Sequence, residues 1–168
     1  VFVDIKPGSC PNPFNPKSSG VLSVAIVGTS DYDIKTIDPT SIRLAGIEPI
    51  RSGYGDVAAP APDVADCNCI AGGPDGLTDL ILKFKMREIA EAIGEVNEGD
   101  VLSLQLTGIW VDPVHLERPI EGADCVLIVG RHKPFNPADI NKDGVVDFTD
   151  YTIFAENWLQ RSIDPSSE

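Results

Sequence analysis

The densest run of chemistry-bearing residues is Asp139-Ile140-Asn141-Lys142-Asp143-Gly144-Val145-Val146-Asp147-Phe148-Thr149-Asp150. It puts side-chain oxygens at positions 1, 3, 5, 9 and 12 of a twelve-residue loop and a glycine at position 6. Ca²⁺ takes about six to eight hard oxygen ligands, and a chain wraps round it only where position 6 tolerates a sharp turn. Asp139, Asn141, Asp143, Asp147 and Asp150 therefore read as side-chain ligands, with Asp147 acting through water and Val145 giving its backbone carbonyl. Four aspartates in one short loop repel one another unless a cation lies between them, so the implied cofactor is Ca²⁺. A second, weaker pattern is the turn Pro74-Asp75-Gly76 leading into Asp79, where Asp75 and Asp79, with Asp66 or Asn68, form a further candidate metal site.

The loop leads into an amphipathic helix. Phe148, Tyr151, Ile153, Phe154, Trp158 and Leu159 give it a wide apolar face, with Tyr151, Phe154 and Trp158 along one stripe. No helix is expected on the loop's other side, because Pro134 and Pro137 forbid it. The loop is thus EF-hand-like with only its exiting helix. The layout resembles a single dockerin type I repeat, the loop–helix half-unit of secreted polysaccharide-degrading systems. Phe148-Thr149-Asp150-Tyr151 and Ala155-Glu156-Asn157-Trp158-Leu159 carry that resemblance, which spans residues 139–160. Dockerins carry two such repeats; this chain shows one. The resemblance implies a cohesin-like protein among the conceivable partners.

Residues 1–132 read as a separate β-rich module, and residues 133–168 as linker, calcium loop and helix. Strands are expected at Val21–Val27, Ser41–Ala45, Thr78–Phe84, Val101–Thr107 and Cys125–Val129, several of them alternating at period two. Val21–Val27 is almost continuously apolar, as a strand buried on both faces would be. Met86, Ile89, Ala90 and Ile93 mark one short helix, Met86–Ile93, closed by Gly94. Short strands, Gly/Pro turns and one minor helix predict a β-sandwich, immunoglobulin-like or jelly-roll-like. The segments Val3-Asp4-Ile5-Lys6-Pro7-Gly8-Ser9-Cys10-Pro11-Asn12-Pro13, Gly20–Ile26, Ile37–Leu44, Pro74–Leu80 and Ile120–Val126 are similar to a β-rich module of bacterial and archaeal secreted proteins. That resemblance carries no assigned reaction.

Cysteines sit at positions 10, 67, 69 and 125, an even number that predicts two disulfides in an oxidising compartment. Among the three pairings, Cys10–Cys125 with Cys67–Cys69 is preferred; a zinc site from Cys67 and Cys69 with His115 or His132 lacks ligand spacing. Residue 1 is Val rather than Met, which is expected of a processed mature chain or an excised module. Charge excludes nucleic acid as a partner: 26 acidic residues against 13 Lys plus Arg leave a net charge of −13. No apolar run reaches the roughly 20 residues of a membrane span.

Catalysis finds no constellation. Glu88/Glu91 and Glu95/Glu98 read as solvated faces, neither histidine has a nucleophile beside it, and no Gly-rich phosphate loop precedes a helix. Pro11-Asn12-Pro13-Phe14-Asn15-Pro16 reads as strand-entry geometry. Trp110, with Tyr54 and His115, is a candidate sugar platform, although a lone Trp more often packs under a loop. The expectation is a non-enzymatic, secreted, calcium-binding structural subunit of a fibre, surface layer or matrix. It would be extracellular or at the cell surface, a homo-oligomer or filament, with Tyr151, Phe154 and Trp158 as interface. An N-terminal strand Val1–Ile5 would serve to complete a neighbour's sheet edge. The alternative is a tethering or carbohydrate-binding module of an extracellular hydrolase system, with a cohesin-like protein or polysaccharide as partner.

Overall fold

In the computed structural model, Leu80, Leu82 and Phe84 alternate with Ile81, Lys83 and Lys85, and the apolar set is fully buried. The structure describes residues 1–31, 33–60, 67, 72–111, 116–130, 138, 140–141 and 146–161. Two compact units, Val1–Gly130 and Arg131–Glu168, divide the chain. The first is mostly β: β1 (Val3–Ile5), β2 (Pro13–Phe14), β3 (Val21–Ile26), β4 (Arg43–Leu44), β5 (Arg51–Gly55), β6 (Asp79–Lys85), the helix α1 (Met86–Ile93), β7 (Val101–Val111) and β8 (Glu117–Ile128). The strands form two four-stranded sheets, in the orders β1-β3-β6-β5 and β2-β8-β7-β4. Every pairing is antiparallel except β2 with β8.

Both sheets feed one core. Val3, Ile5, Leu22, Val24, Ile26, Leu80, Leu82 and Phe84 come from the first; Phe14, Leu44, Leu104, Leu106, Ile120, Val126 and Ile128 come from the second. Burying each such side chain is worth about 1.5–3 kcal/mol. The apolar run of β3 is explained at its end. Ala25 and Val27 pack with Ala58, Phe2 and Val57 in a second small cluster, while Val21 at the strand's start is exposed. Helix α1 lies where its pattern predicts, with Met86 and Ile89 buried, Ala90 and Ile93 against the core, and Gly94 ending it at φ +75°.

Strand β1 belongs to its own sheet. It pairs with β3 in the register Val3↔Ile26, Asp4↔Ala25, Ile5↔Val24, lies at the edge of that sheet and packs against β8. The approach to β8 is close. A Cβ on Gly122 would meet Val1 O and Val3 Cγ2 at 2.6 Å, and the Val1 ammonium donates to Glu121 O at 2.8 Å.

The preferred cysteine pairing is also corrected. Cys125 bonds to Cys67, with 5.2 Å between their Cα atoms, and Cys10 is disulfide-bonded as well. Among the described residues no cysteine is free; Cys69 lies outside them. The sequence offered no geometric reason to choose between pairings. The structure places Cys67 against Cys125 on β8. The bond spans a separation of 58 residues, and a loop of that size removes much unfolded-state entropy. Replacing Cys67 and Cys125 by Ser should lower unfolding free energy by about 2–4 kcal/mol in chemical denaturation under oxidising conditions; an unchanged midpoint would deny the bond a stabilising role.

Candidate metal centre

Helix α2 (Phe148–Arg161) starts on a reciprocal cap. Asp147 lies just before it and accepts the Thr149 N–H on Oδ1 at 2.8 Å, while Asp150 accepts the Asp147 N–H on Oδ2 at 3.0 Å. Two of the orphan amides of the first turn are thus satisfied, and both carboxylates lie at the positive end of the helix dipole. Asp150 also reaches back into the loop. Its Oδ1 accepts from Ile140 N at 2.7 Å and Asn141 N at 3.2 Å, and the residue is only 2% exposed. These amides, that of Asp147 foremost, hold its carboxyl below the ordinary carboxylate range against the opposing effect of burial.

Of the six predicted loop ligands, the structure describes Asn141, Asp147 and Asp150 and ties them to one another through the backbone. Asp139, Asp143 and Val145 lie outside the described residues. Among the described residues no three His, Cys, Asp or Glu side chains form a metal-holding group. Asp150 Oδ1 is filled by two amides, whereas Oδ2, with one amide bond, keeps a lone pair that a hard cation could take. The cap has no standard signature in the sequence, because Asp150 stands where a capping box has Glu or Gln.

Beside the loop, Ala138, Ile140, Val146, Tyr151 and Phe154 line an apolar depression with Asp147 and Asp150 at its edge. The predicted interface residues are exposed: Tyr151 at 60%, Phe154 at 49% and Trp158 at 66%, with Phe148 at 75%. They sit in ring pairs, Phe148–Tyr151 with centroids 5.6 Å apart and Phe154–Trp158 at 5.7 Å.

The second predicted metal pair is differently employed. Asp79 is fully buried, and its oxygens accept the N–H groups of Gly28 at 2.9 Å, Val57 at 2.7 Å and Ala58 at 3.0 Å. Asp75 is exposed in a turn closed on its own Oδ1 by Leu77 N at 2.9 Å. The amides of Asp75 and Gly76 are gathered by Asp56. Asp66 and Asn68 are outside the described residues.

Trp110 is half-buried against the core, donates its indole N–H to the Thr36 hydroxyl, and has the Arg118 guanidinium 5.5 Å from its ring centroid. Tyr54 belongs to the other sheet, and His115 and His132 lie outside the described residues. Glu88 and Glu91 make surface ion pairs with Lys85 and Arg87.

Because the Asp150 carboxyl is held below its ordinary value, its contribution to folding is complete above the unfolded-state value. It is lost as pH falls through the lowered one. In metal-free protein the helical circular-dichroism signal should therefore weaken on acidification below about pH 4. Asp150→Ala should already show the weakened signal at neutral pH and no further acid transition. A variant with the wild-type signal and the wild-type acid transition would show that Asp150 does not hold the helix start.

No protein-family model matches this chain, and a search of curated proteins finds no match.

Proposed function

We propose that this is a secreted, non-catalytic, calcium-binding structural protein. In this reading the first unit is a β-sandwich module held by disulfides, and the second is a single dockerin-like calcium loop and helix through which copies assemble. The observation that carries the proposal is the coupling of α2 to the loop. One carboxylate, Asp150, gathers amides from Ile140, Asn141 and Asp147, and the helix it starts carries four exposed aromatic side chains. Exposed aromatics on one short helix are an unfavourable surface to leave in water. Burying three of them is worth several kcal/mol at about 25 cal/mol per Å².

A cation between Asp139, Asp143, Asp147 and Asp150 would cancel their mutual repulsion and fix the loop from which the helix begins. Calcium would then control whether the aromatic surface is presented. The Cys67–Cys125 bond supports an oxidising, extracellular setting. No helix among the described residues is long and apolar enough to cross a membrane. Heterologous contacts between copies extend into filaments when their rotation does not close.

Sedimentation velocity on the full chain tests this reading. The wild type with Ca²⁺ should form species larger than a monomer. Chelator, or Phe154→Asp with Trp158→Asp, should return it to monomer while the β signal is kept. Equal sizes in every condition would refute assembly through α2.

A further inference from the structure

Asp4, the middle residue of β1, is fully buried, and neither of its carboxylate oxygens has a hydrogen-bond partner among the described residues. Its neighbours Val3 and Ile5 enter the core, so the alternation of a strand turns Asp4 to the opposite face. Asn12 is the second anomaly. Its Nδ2 donates to Asp124 Oδ2 at 2.9 Å and to Cys125 O at 3.0 Å, which fixes the amide's orientation. Oδ1 is left buried without a partner among the described residues, in a residue 1% exposed.

Both anomalies lie at one junction. The Ile5 N–H, on the peptide that follows Asp4, donates at 2.7 Å to the same Asp124 Oδ2 that Asn12 contacts. Asp124 Oδ1 accepts the Cys125 N–H, also at 2.7 Å. Covalent bonds hold the neighbourhood: Cys125 is tied to Cys67, and Cys10, two residues before Asn12, is disulfide-bonded too.

The charges that act on Asp4 among the described residues are negative. Burial first, then Asp124 on β8, then Asp79 on β6, push the Asp4 carboxyl up to about 7. Asp79 is committed to the amides of Gly28, Val57 and Ala58 and adds only its negative field. Nearby cations are engaged elsewhere: Lys6 Nζ donates to Pro13 O at 2.8 Å, and the Val1 ammonium to Glu121 O. An unpaired carboxylate out of water is costly, and water donors at the site would solvate it without neutralising it. Three sealed oxygens with no donor among the described residues, beside a second carboxylate, are what a hard cation satisfies.

We infer that Asp4, Asn12 and Asp124 form a buried site for one divalent cation of the Ca²⁺ class at the junction of β1 and β8. The site rests on two carboxylates and one carboxamide, in keeping with the absence of any group of three acidic, His or Cys ligands among the described residues. Backbone carbonyls and water complete the roughly six to eight ligands that Ca²⁺ takes. The ion replaces a charge conflict in the first unit and joins the N-terminal strand to β8. It is independent of the loop at residues 139–150.

Equilibrium dialysis of the full chain against Ca²⁺ at pH 8 separates the two sites. The wild type should bind two ions, Asp4→Asn one, and the loop variant Asp147→Ala/Asp150→Ala one. A wild type that binds a single ion, lost in Asp4→Asn and kept in the loop variant, supports this site and refutes the loop. Should Asp4→Asn fail to fold, the loop variant alone decides. An Asp4→Asn protein that binds as many ions as wild type overturns the inference. So does a loop variant that binds none, in which Asp4 is simply a buried carboxylic acid.

Discussion

Short strands leave backbone N–H groups without ladder partners, and a buried unpaired amide costs about as much as a lost hydrogen bond. This protein meets that constraint with aspartate. Asp79 takes three amides where β6 begins, Asp124 takes those of Ile5 and Cys125, Asp56 closes the Asp75–Gly76 turn, and Asp150 joins the loop to α2. A short carboxylate has enough lone pairs to receive several donors at once, with little side-chain entropy to lose. The acidity of the chain is therefore partly internal architecture rather than a solvated surface.

Asp4 departs from that pattern, since it alone among these buried carboxylates receives no amide. The difference is positional. Asp79 opens β6 and Asp150 lies in the first turn of α2, where donors are unclaimed. Asp124 is mid-strand in β8 but receives the Ile5 N–H from β1, whereas Asp4, mid-strand in β1, receives none among the described residues. A carboxylate placed there is stabilised only by groups outside the backbone, and the same holds for the outward oxygen of Asn12.

Much of the fold could be read from side-chain period. β3, β6, β7 and α1 announce themselves through apolar spacing, because one face of each enters the core. β5 does not: Arg51-Ser52-Gly53-Tyr54-Gly55 is an exposed edge strand whose residues carry no burial pattern to read. β2 is two residues long and held by parallel pairing to Leu127 and Ile128, a long-range fact with no local trace. At the candidate sites, the calcium-loop spacing drew attention to Asp147 and Asp150, but their capping role depends on where the helix starts. Asp75 and Asp79 look alike in sequence, and only the fold distinguishes an exposed turn residue from a buried amide acceptor. The pairing of Cys67 with Cys125 and the burial of Asp4 are set by long-range packing, which no window of sequence encodes.

These features bear on the central proposal, that calcium organises the loop ahead of α2 and so governs its aromatic face. Amide-resolved NMR of the full chain during Ca²⁺ titration tests this most directly. Saturable shifts of the Ile140, Asn141 and Asp147 amides, with slowed hydrogen exchange along α2 in the calcium-bound form, are the predicted result. Amides of Ile140, Asn141 and Asp147 that stay in place, with α2 exchange unaltered by calcium, would contradict it.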